Sequence, residues 1–263
     1  MNAILEAKGL SRSFHGFAAV SGVDLAVREG SIHALIGPNG AGKTTCFNLL
    51  TRFIEPTAGR IVFDGHDITR LSADAVARRG LVRSFQISAV FAQLSVVENL
   101  RLALQRQRGH SFDWWRSDRV LRTLDAQAHA LMAEFGLENW ADRLAGELPY
   151  GRKRALELAT TLALKPRMLL LDEPMAGMGA EDIALASTLI RRAARGRTVL
   201  MVEHNLSVVA DLCDHITVLA RGEVLAEGDY ARVSRDERVV AAYLGQGRAG
   251  NQPATLSRQG GHG

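Results

Sequence analysis

Two groups of residues in this chain have the types and spacing to do chemistry. The first is the run Gly37-Pro38-Asn39-Gly40-Ala41-Gly42-Lys43-Thr44-Thr45. It follows a short apolar segment, residues 32–36, and opens a helix-compatible stretch, so G-x-x-x-x-G-K-[ST] stands in the strand–loop–helix context of a phosphate-binding loop. Glycines let successive backbone N–H groups turn inward on phosphate oxygens. The following helix adds the positive end of its dipole. Lys43 reaches the β- and γ-phosphates, and Thr44 offers a hydroxyl to Mg²⁺. The second group is Asp172-Glu173, two acids at the end of the apolar run Met168-Leu169-Leu170-Leu171. A buried strand that delivers carboxylates at its C-terminal end suits a Mg²⁺ site, with Asp172 on the metal and Glu173 orienting and deprotonating an attacking water. Alone this pattern is weak, because any buried strand can end in acids. Beside a phosphate loop it is specific. Gln86 and His204 each follow an apolar strand-like segment, which places both at the C-terminal edge of a sheet, where α/β ligands bind. A histidine there, taken singly, is more often structural.

The elements that position these residues follow from the hydrophobic pattern. Residues 4–9, 23–29, 31–36, 59–63 and 81–85 read as strands, and 43–53 as a helix. From about residue 87 to 164 the strand pattern stops. Val120, Leu121, Leu124, Leu131, Met132 and Phe135 recur at helical spacing, the mark of an amphipathic helix that Gly136 ends. Residues 96–107 read as another helix. Trp114-Trp115 lies in a loop or at a helix start and is better explained by packing than by a membrane contact. Strands return at 168–171, 198–202 and 216–219, with a helix over 205–212. Arg221-Gly222-Glu223 predicts a hairpin into 224–227, and a last helix spans 236–244. Alternating strands and helices imply a mostly parallel sheet covered on its faces. The Gly-, Gln-, Ser- and Arg-rich end predicts a disordered tail.

The 263 residues are 47% hydrophobic and 23% charged, ordinary for a globular protein with a sizeable core. No apolar run approaches the ~20 residues that span a bilayer, and the first residues lack the basic-then-apolar order of a signal peptide. Cys46 and Cys213 stand apart from any metal-type pairing, which predicts inert thiols in a reduced compartment. A net charge of +4 is mild and does not argue for nucleic acid.

With these residues in place, the chain resembles the nucleotide-binding subunits of ABC transporters over about residues 4 to 245. Leu148-Pro149-Tyr150-Gly151-Arg152 stands where that family has its signature, L-S-G-G-Q, and Lys153-Arg154-Ala155-Leu156-Glu157-Leu158-Ala159 looks like the helix after it. The order is also the family's: phosphate loop, Gln86, signature, Asp172-Glu173, His204. Gly80-Leu81-Val82-Arg83-Ser84-Phe85-Gln86, Asp172-Glu173-Pro174-Met175-Ala176-Gly177-Met178, Val202-Glu203-His204-Asn205 and Ala242-Tyr243-Leu244-Gly245 look like the branch that serves branched-chain and other hydrophobic amino-acid importers. Within it the chain resembles the longer of two paired ATPase subunits. Related branches carry urea, amides and aromatic acids.

The resemblance implies an α/β P-loop NTPase fold: a mostly parallel sheet core, an N-terminal antiparallel β region and an inserted helical subdomain. It implies one domain over residues 1–245, with 1–86 and 165–245 forming the core, 87–164 the helical subdomain and 246–263 a disordered tail. It implies Mg-ATP as ligand, Phe14 stacked on adenine, Lys43, Thr44 and Thr45 on phosphates and metal, Gln86 sensing metal or γ-phosphate, and His204 on the γ-phosphate. The signature would close over ATP held by a second ATPase subunit, itself a copy or a paralogue. Permease subunits would be separate chains, served indirectly by an external substrate-binding protein, with the ATPase peripheral on the cytoplasmic face of the inner membrane. A soluble ABC ATPase acting on nucleic acid or ribosomes is the competing reading. Those usually carry two cassettes or a long coiled-coil insertion, and the insertion between Gln86 and Leu148 is short.

Three departures from the family pattern bear on activity. Pro149 replaces the usual serine and supplies neither hydroxyl nor N–H, which predicts weaker hydrolysis. Arg152 and Lys153 stand where glutamine is common, and either add charge near the phosphate or remain solvated. Gly179 stands where the family often has aspartate, which puts that loop's side-chain contact across the dimer in doubt.

Overall fold

The computed structural model describes residues 2–84, 90–107 and 118–247. Strands β1 (Ala3–Phe14) and β2 (Phe17–Arg28) form a long antiparallel hairpin. Val23, Leu25 and Val27 are buried while Asp24, Ala26 and Arg28 are exposed, the alternation of a strand with one face on the core. β3 (Ile32–Ile36) leads through the phosphate loop into helix α1 (Lys43–Leu50). β4 (Ala58–Phe63) and β5 (His66–Asp67) complete a four-stranded antiparallel sheet in the order β2-β1-β4-β5.

The chain then runs through α2 (Ala73–Arg78), β6 (Leu81–Ser84), α3 (Val96–Gln107), α4 (Asp118–Phe135) and α5 (Tyr150–Ala163). It continues as β7 (Met168–Asp172), α6 (Ala180–Ala193), β8 (Thr198–Val202), α7 (Leu206–Leu212), β9 (His215–Ala220), β10 (Glu223–Gly228), α8 (Tyr230–Val233) and α9 (Glu237–Gly247). The second sheet has the order β10-β9-β3-β8-β7-β6 and is parallel except for β10. Arg221 and Gly222 both take positive φ, 52° and 82°, in the two-residue turn joining β9 to β10, as a tight hairpin requires.

Every residue of β8 is buried, because a central parallel strand is covered on both faces. Successive side chains of β7 therefore enter different cores. Met168 and Leu170 meet Leu200, Val202, Phe47 and the antiparallel sheet. Leu169 and Leu171 meet Val199, Met201 and the helices from α3 to α7. Phe47 is fully buried and pins α1 beneath the phosphate loop, and its removal would cost about 3–5 kcal/mol. On α4, Leu124, Ala128, Met132 and Phe135 form the buried stripe, and Gly136 ends the helix at φ 66°.

Several boundaries differ from the sequence reading. β1 and β2 run well beyond the expected 4–9 and 23–29, because Gly9 and Gly22, both at φ 59°, and shifts of register interrupt the alternation without ending the pairing. α1 stops at Leu50, short of residue 53: Thr51 Oγ1 donates back to Phe47 O at 2.7 Å, and Arg52 turns to φ 61°. α6 was not foreseen, although Glu181 and Asp182 in its first turn and Arg191 and Arg192 in its last complement the helix dipole. α9 continues to Gly247, into the segment expected as tail. Gln86, Phe85, Trp114, Trp115 and the tail from residue 248 lie outside the described residues. Both cysteines are free thiols, and burial pushes each up to about 12, consistent with inert side chains.

Candidate active site

The phosphate loop joins the C-terminal end of β3 to α1. Three glycines allow its path, with φ 151° at Gly37, 76° at Gly40 and 97° at Gly42. A Cβ at Gly37 would lie 2.1 Å from Leu219 O, and one at Gly42 2.4 Å from Ala19 O. Only glycine lets the turn lie against both backbones. Lys43 is buried and folds over the loop, donating from Nζ to Gly37 O at 2.7 Å and Pro38 O at 2.9 Å. Burial lowers its pKa, and the nearby charges of Glu173 and Asp172 oppose that shift. Thr44 is exposed on the first turn of α1.

Strand register brings the acids and the histidine to the same edge. Leu35 of β3 pairs with Val202 of β8, and Val202 pairs with Asp172 of β7. Glu173 follows at φ 47°, an uncommon conformation for a non-glycine residue. Its Oε1 lies 2.7 Å from His204 Nε2. Thus two of the predicted catalytic residues, from different strand ends, are in direct contact.

Glu203, which sequence reasoning passed over, holds this pair in place. Its carboxylate is buried and accepts from the backbone N–H of Met175 at 3.0 Å, His204 at 3.0 Å and Asn205 at 3.1 Å. The loop after β7 and the loop after β8 are therefore fastened to one side chain. Asn205 then caps α7, its Oδ1 accepting from Ser207 and Val208 N–H. Tyr243 was also missed as a site residue. It is half-buried, and burial raises its pKa while the nearby Gly37 backbone opposes that shift. The C-terminal helix thereby brings a phenol to the neighbourhood of the phosphate loop.

Phe14 ends β1, 38% exposed, with the Arg12 guanidinium 4.7 Å from its ring centroid. It is an accessible aromatic surface and not a core residue. At the signature, Leu148 is buried and Pro149 is the N-cap of α5, at φ −55° and ψ 150°. Proline fits there because its own N–H is not needed and its carbonyl accepts from Arg152 and Lys153 N–H. Tyr150 is exposed, and Gly151 packs so closely on α6 that a Cβ would meet Leu185 Cδ2 at 2.7 Å. Arg152 Nη1 donates to Gly136 O at 3.0 Å. Its guanidinium thus caps the end of α4. Gly179 is the N-cap of α6.

These residues fit a magnesium nucleotide. The loop's backbone makes an anion cradle, and Asp172 and Thr44 are hard oxygen donors. Among the described residues no group of three or more His, Cys, Asp and Glu could hold a metal, so Mg²⁺ here would share its shell with phosphate oxygens.

Comparison with known proteins gives the family. The ABC transporter model matches residues 20–176. A second model, branched-chain amino acid ATP-binding cassette transporter, matches residues 223–249, which include Tyr243. The chain belongs to the ATP-binding proteins of ABC transporters, in the branched-chain amino acid family. It is 40% identical over 253 residues to the high-affinity branched-chain amino acid transport ATP-binding protein BraF of Pseudomonas aeruginosa, covering 92% of this chain and 98% of that one. It is 37% identical over 252 residues to LivG of Salmonella typhimurium, a protein of the same description, with the same coverage. The ABC cassette MJ1267, solved in its ADP conformation, superposes with a TM-score of 0.82 at 30% identity, over 93% of this chain and all of that one. The ABC cassette fold accounts for both sheets. Of the expected site, the structure brings Lys43, Asp172, Glu173 and His204 to one sheet edge, with Phe14 at a separate strand end. Gln86 lies outside the described residues.

Proposed function

We propose that this ABC ATPase subunit hydrolyses Mg-ATP at the β3–β7–β8 edge to drive import of branched-chain or other hydrophobic amino acids. The observation that carries the chemistry is the Glu173–His204 contact at 2.7 Å, beside a lysine-bearing phosphate loop. Lys43 releases the loop carbonyls and turns to the β- and γ-phosphates. Thr44, Asp172 and Gln86 would hold Mg²⁺, which would supply charge neutralisation for the phosphates. Glu173 takes a proton from water as its oxygen attacks the γ-phosphorus in line, and ADP departs. His204 leaves Glu173 to donate to the γ-phosphate, where it stabilises the spreading charge. Phe14 stacks on the adenine. Glu203 keeps the two strand-end loops at fixed separation throughout.

The signature, with Leu148 to Arg152, covers ATP held by a second ATPase subunit through the start of α5. The residues 87–164 act as the helical subdomain that passes this closure to the membrane partner. No helix among the described residues is long and apolar enough to cross a membrane, so the transport path belongs to separate permease subunits and this chain sits against them on the cytoplasmic face. The C-terminal match over residues 223–249 supports amino-acid import over action on ribosomes or nucleic acid. Affinity purification of the full chain from detergent-solubilised native membranes tests this reading. Two permeases and a second ATPase should co-purify; ribosomes or nucleic-acid proteins in their place would overturn the transport assignment.

A further inference from the structure

Arg83 is a charged residue that neither the phosphate loop nor the hydrolysis chemistry uses. It sits on β6 opposite Leu170 of β7. Leu170 faces the core beneath α1, and Asp172, two residues on, shares that face. The Arg83 guanidinium forms an ion pair with Asp172 Oδ2 and donates to Asn48 Oδ1 on α1. The two side chains of the pair are only 3% and 10% exposed. The rings of Phe47 and Phe53 lie 5.9 and 5.7 Å from the guanidinium carbon, and Arg83 Nε is buried without a hydrogen-bond partner.

A buried pair of this kind costs desolvation that its attraction only partly returns. It is also an unexpected partner for a carboxylate that serves a metal, because a fixed cation there repels the ion. We propose that Arg83 is a positioning residue that competes with Mg²⁺ for Asp172. It holds the carboxylate aimed at α1 while leaving Oδ1 outside the ion pair, and it keeps the site's metal affinity low until nucleotide phosphates add their own oxygens. This inference rests on the reading of Asp172 as the metal-facing carboxylate.

The test is ADP binding to the purified full chain by calorimetry, in EDTA and in saturating Mg²⁺. The ratio of the two affinities measures what the metal contributes. Arg83→Met removes the cation at similar volume and should raise that ratio about tenfold. Arg83→Lys keeps the charge and should leave it within about twofold. An unchanged or smaller ratio in folded Arg83→Met overturns the proposal. Should Arg83→Met not fold, the wild-type protein decides: the Arg83 Nε–H resonance, assigned by its loss in Arg83→Lys, should move when Mg²⁺ is added to the ADP complex. A resonance that does not move overturns the proposal. ADP binding that proceeds without any such response contradicts Arg83's role alone, whereas absence of ADP binding in both conditions overturns the nucleotide-site reading and this proposal with it.

Discussion

Among single residues, Glu203 has the clearest untested consequence. Three backbone N–H groups converge on its buried carboxylate, so Glu203→Ala leaves them unsatisfied and should cost about 3 kcal/mol or more in urea unfolding. Glu203→Gln keeps the shape and one carbonyl acceptor and should fold, yet lose turnover because the Glu173–His204 spacing relaxes. Full activity in Glu203→Gln would remove the positioning role. Pro149 gives an opposite expectation: Pro149→Ser places a hydroxyl at the N-cap of α5 and should raise ATP turnover several-fold, read as kcat with KM little changed. An equal rate would mean that the N–H groups at the start of α5 suffice. The motif residues were legible because each belongs to a short run whose spacing is itself chemical. Glu203 stood beside His204 in plain view, but one of its partners, Met175 N–H, comes from another strand end, and contacts across strands leave no local pattern. The bond of Arg152 to Gly136 was not foreseen for the same reason, since Gly136 stands at the end of another element, α4.

At the scale of elements, two expectations follow from backbone packing and burial. Gly42→Ala forces a side chain into φ 97° and 2.4 Å from Ala19 O. It should destabilise the protein by about 2 kcal/mol or more and weaken ADP binding, and normal values of both would contradict the packing of the loop on β2. The second concerns β3 and β9. His33 lies against His215, with ring centroids 5.0 Å apart, and its Nε2 is 2.9 Å from Thr217 Oγ1. Thr217 donates to Glu227 Oε1, so its oxygen accepts from His33 Nε2–H. Burial, with His215 and Arg28 adding repulsion, pushes His33 down from 6.5 to about 3. Below pH 6.5 the unfolded chain binds a proton that the native state refuses. Stability present above pH 6.5 is therefore lost as pH falls toward 3, by about 2 kcal/mol at pH 5. Unfolding midpoints at pH 7.5 and 5 should fall accordingly, and His33→Gln should flatten part of the slope. An unaltered slope would contradict this. The strands of the parallel sheet were legible as apolar runs. The full length of β1 and β2 was not, because glycines and bulges break the period without breaking the pairing. α6 could have been found from its charged ends.

For the whole molecule, the two sheets and the helices form one scaffold whose C-terminal edge gathers residues far apart in the chain. β3 carries the loop, β7 the acids and β8 the histidine, in adjacent register. The ordering of motifs along the sequence foretold this edge, because parallel strands joined by crossovers must present their C-terminal ends together. The placement of Tyr243 near Gly37 was not foretold. What the scaffold is built to do is decided at Glu173. The most direct measurement is ATP turnover and ATP binding in the same preparations of wild-type protein and Glu173→Gln, at saturating Mg²⁺. The account predicts that Glu173→Gln binds ATP about as tightly as wild type and hydrolyses it at least about a hundredfold more slowly. Undiminished turnover would contradict Glu173 as the base and, with it, the assembled site described above.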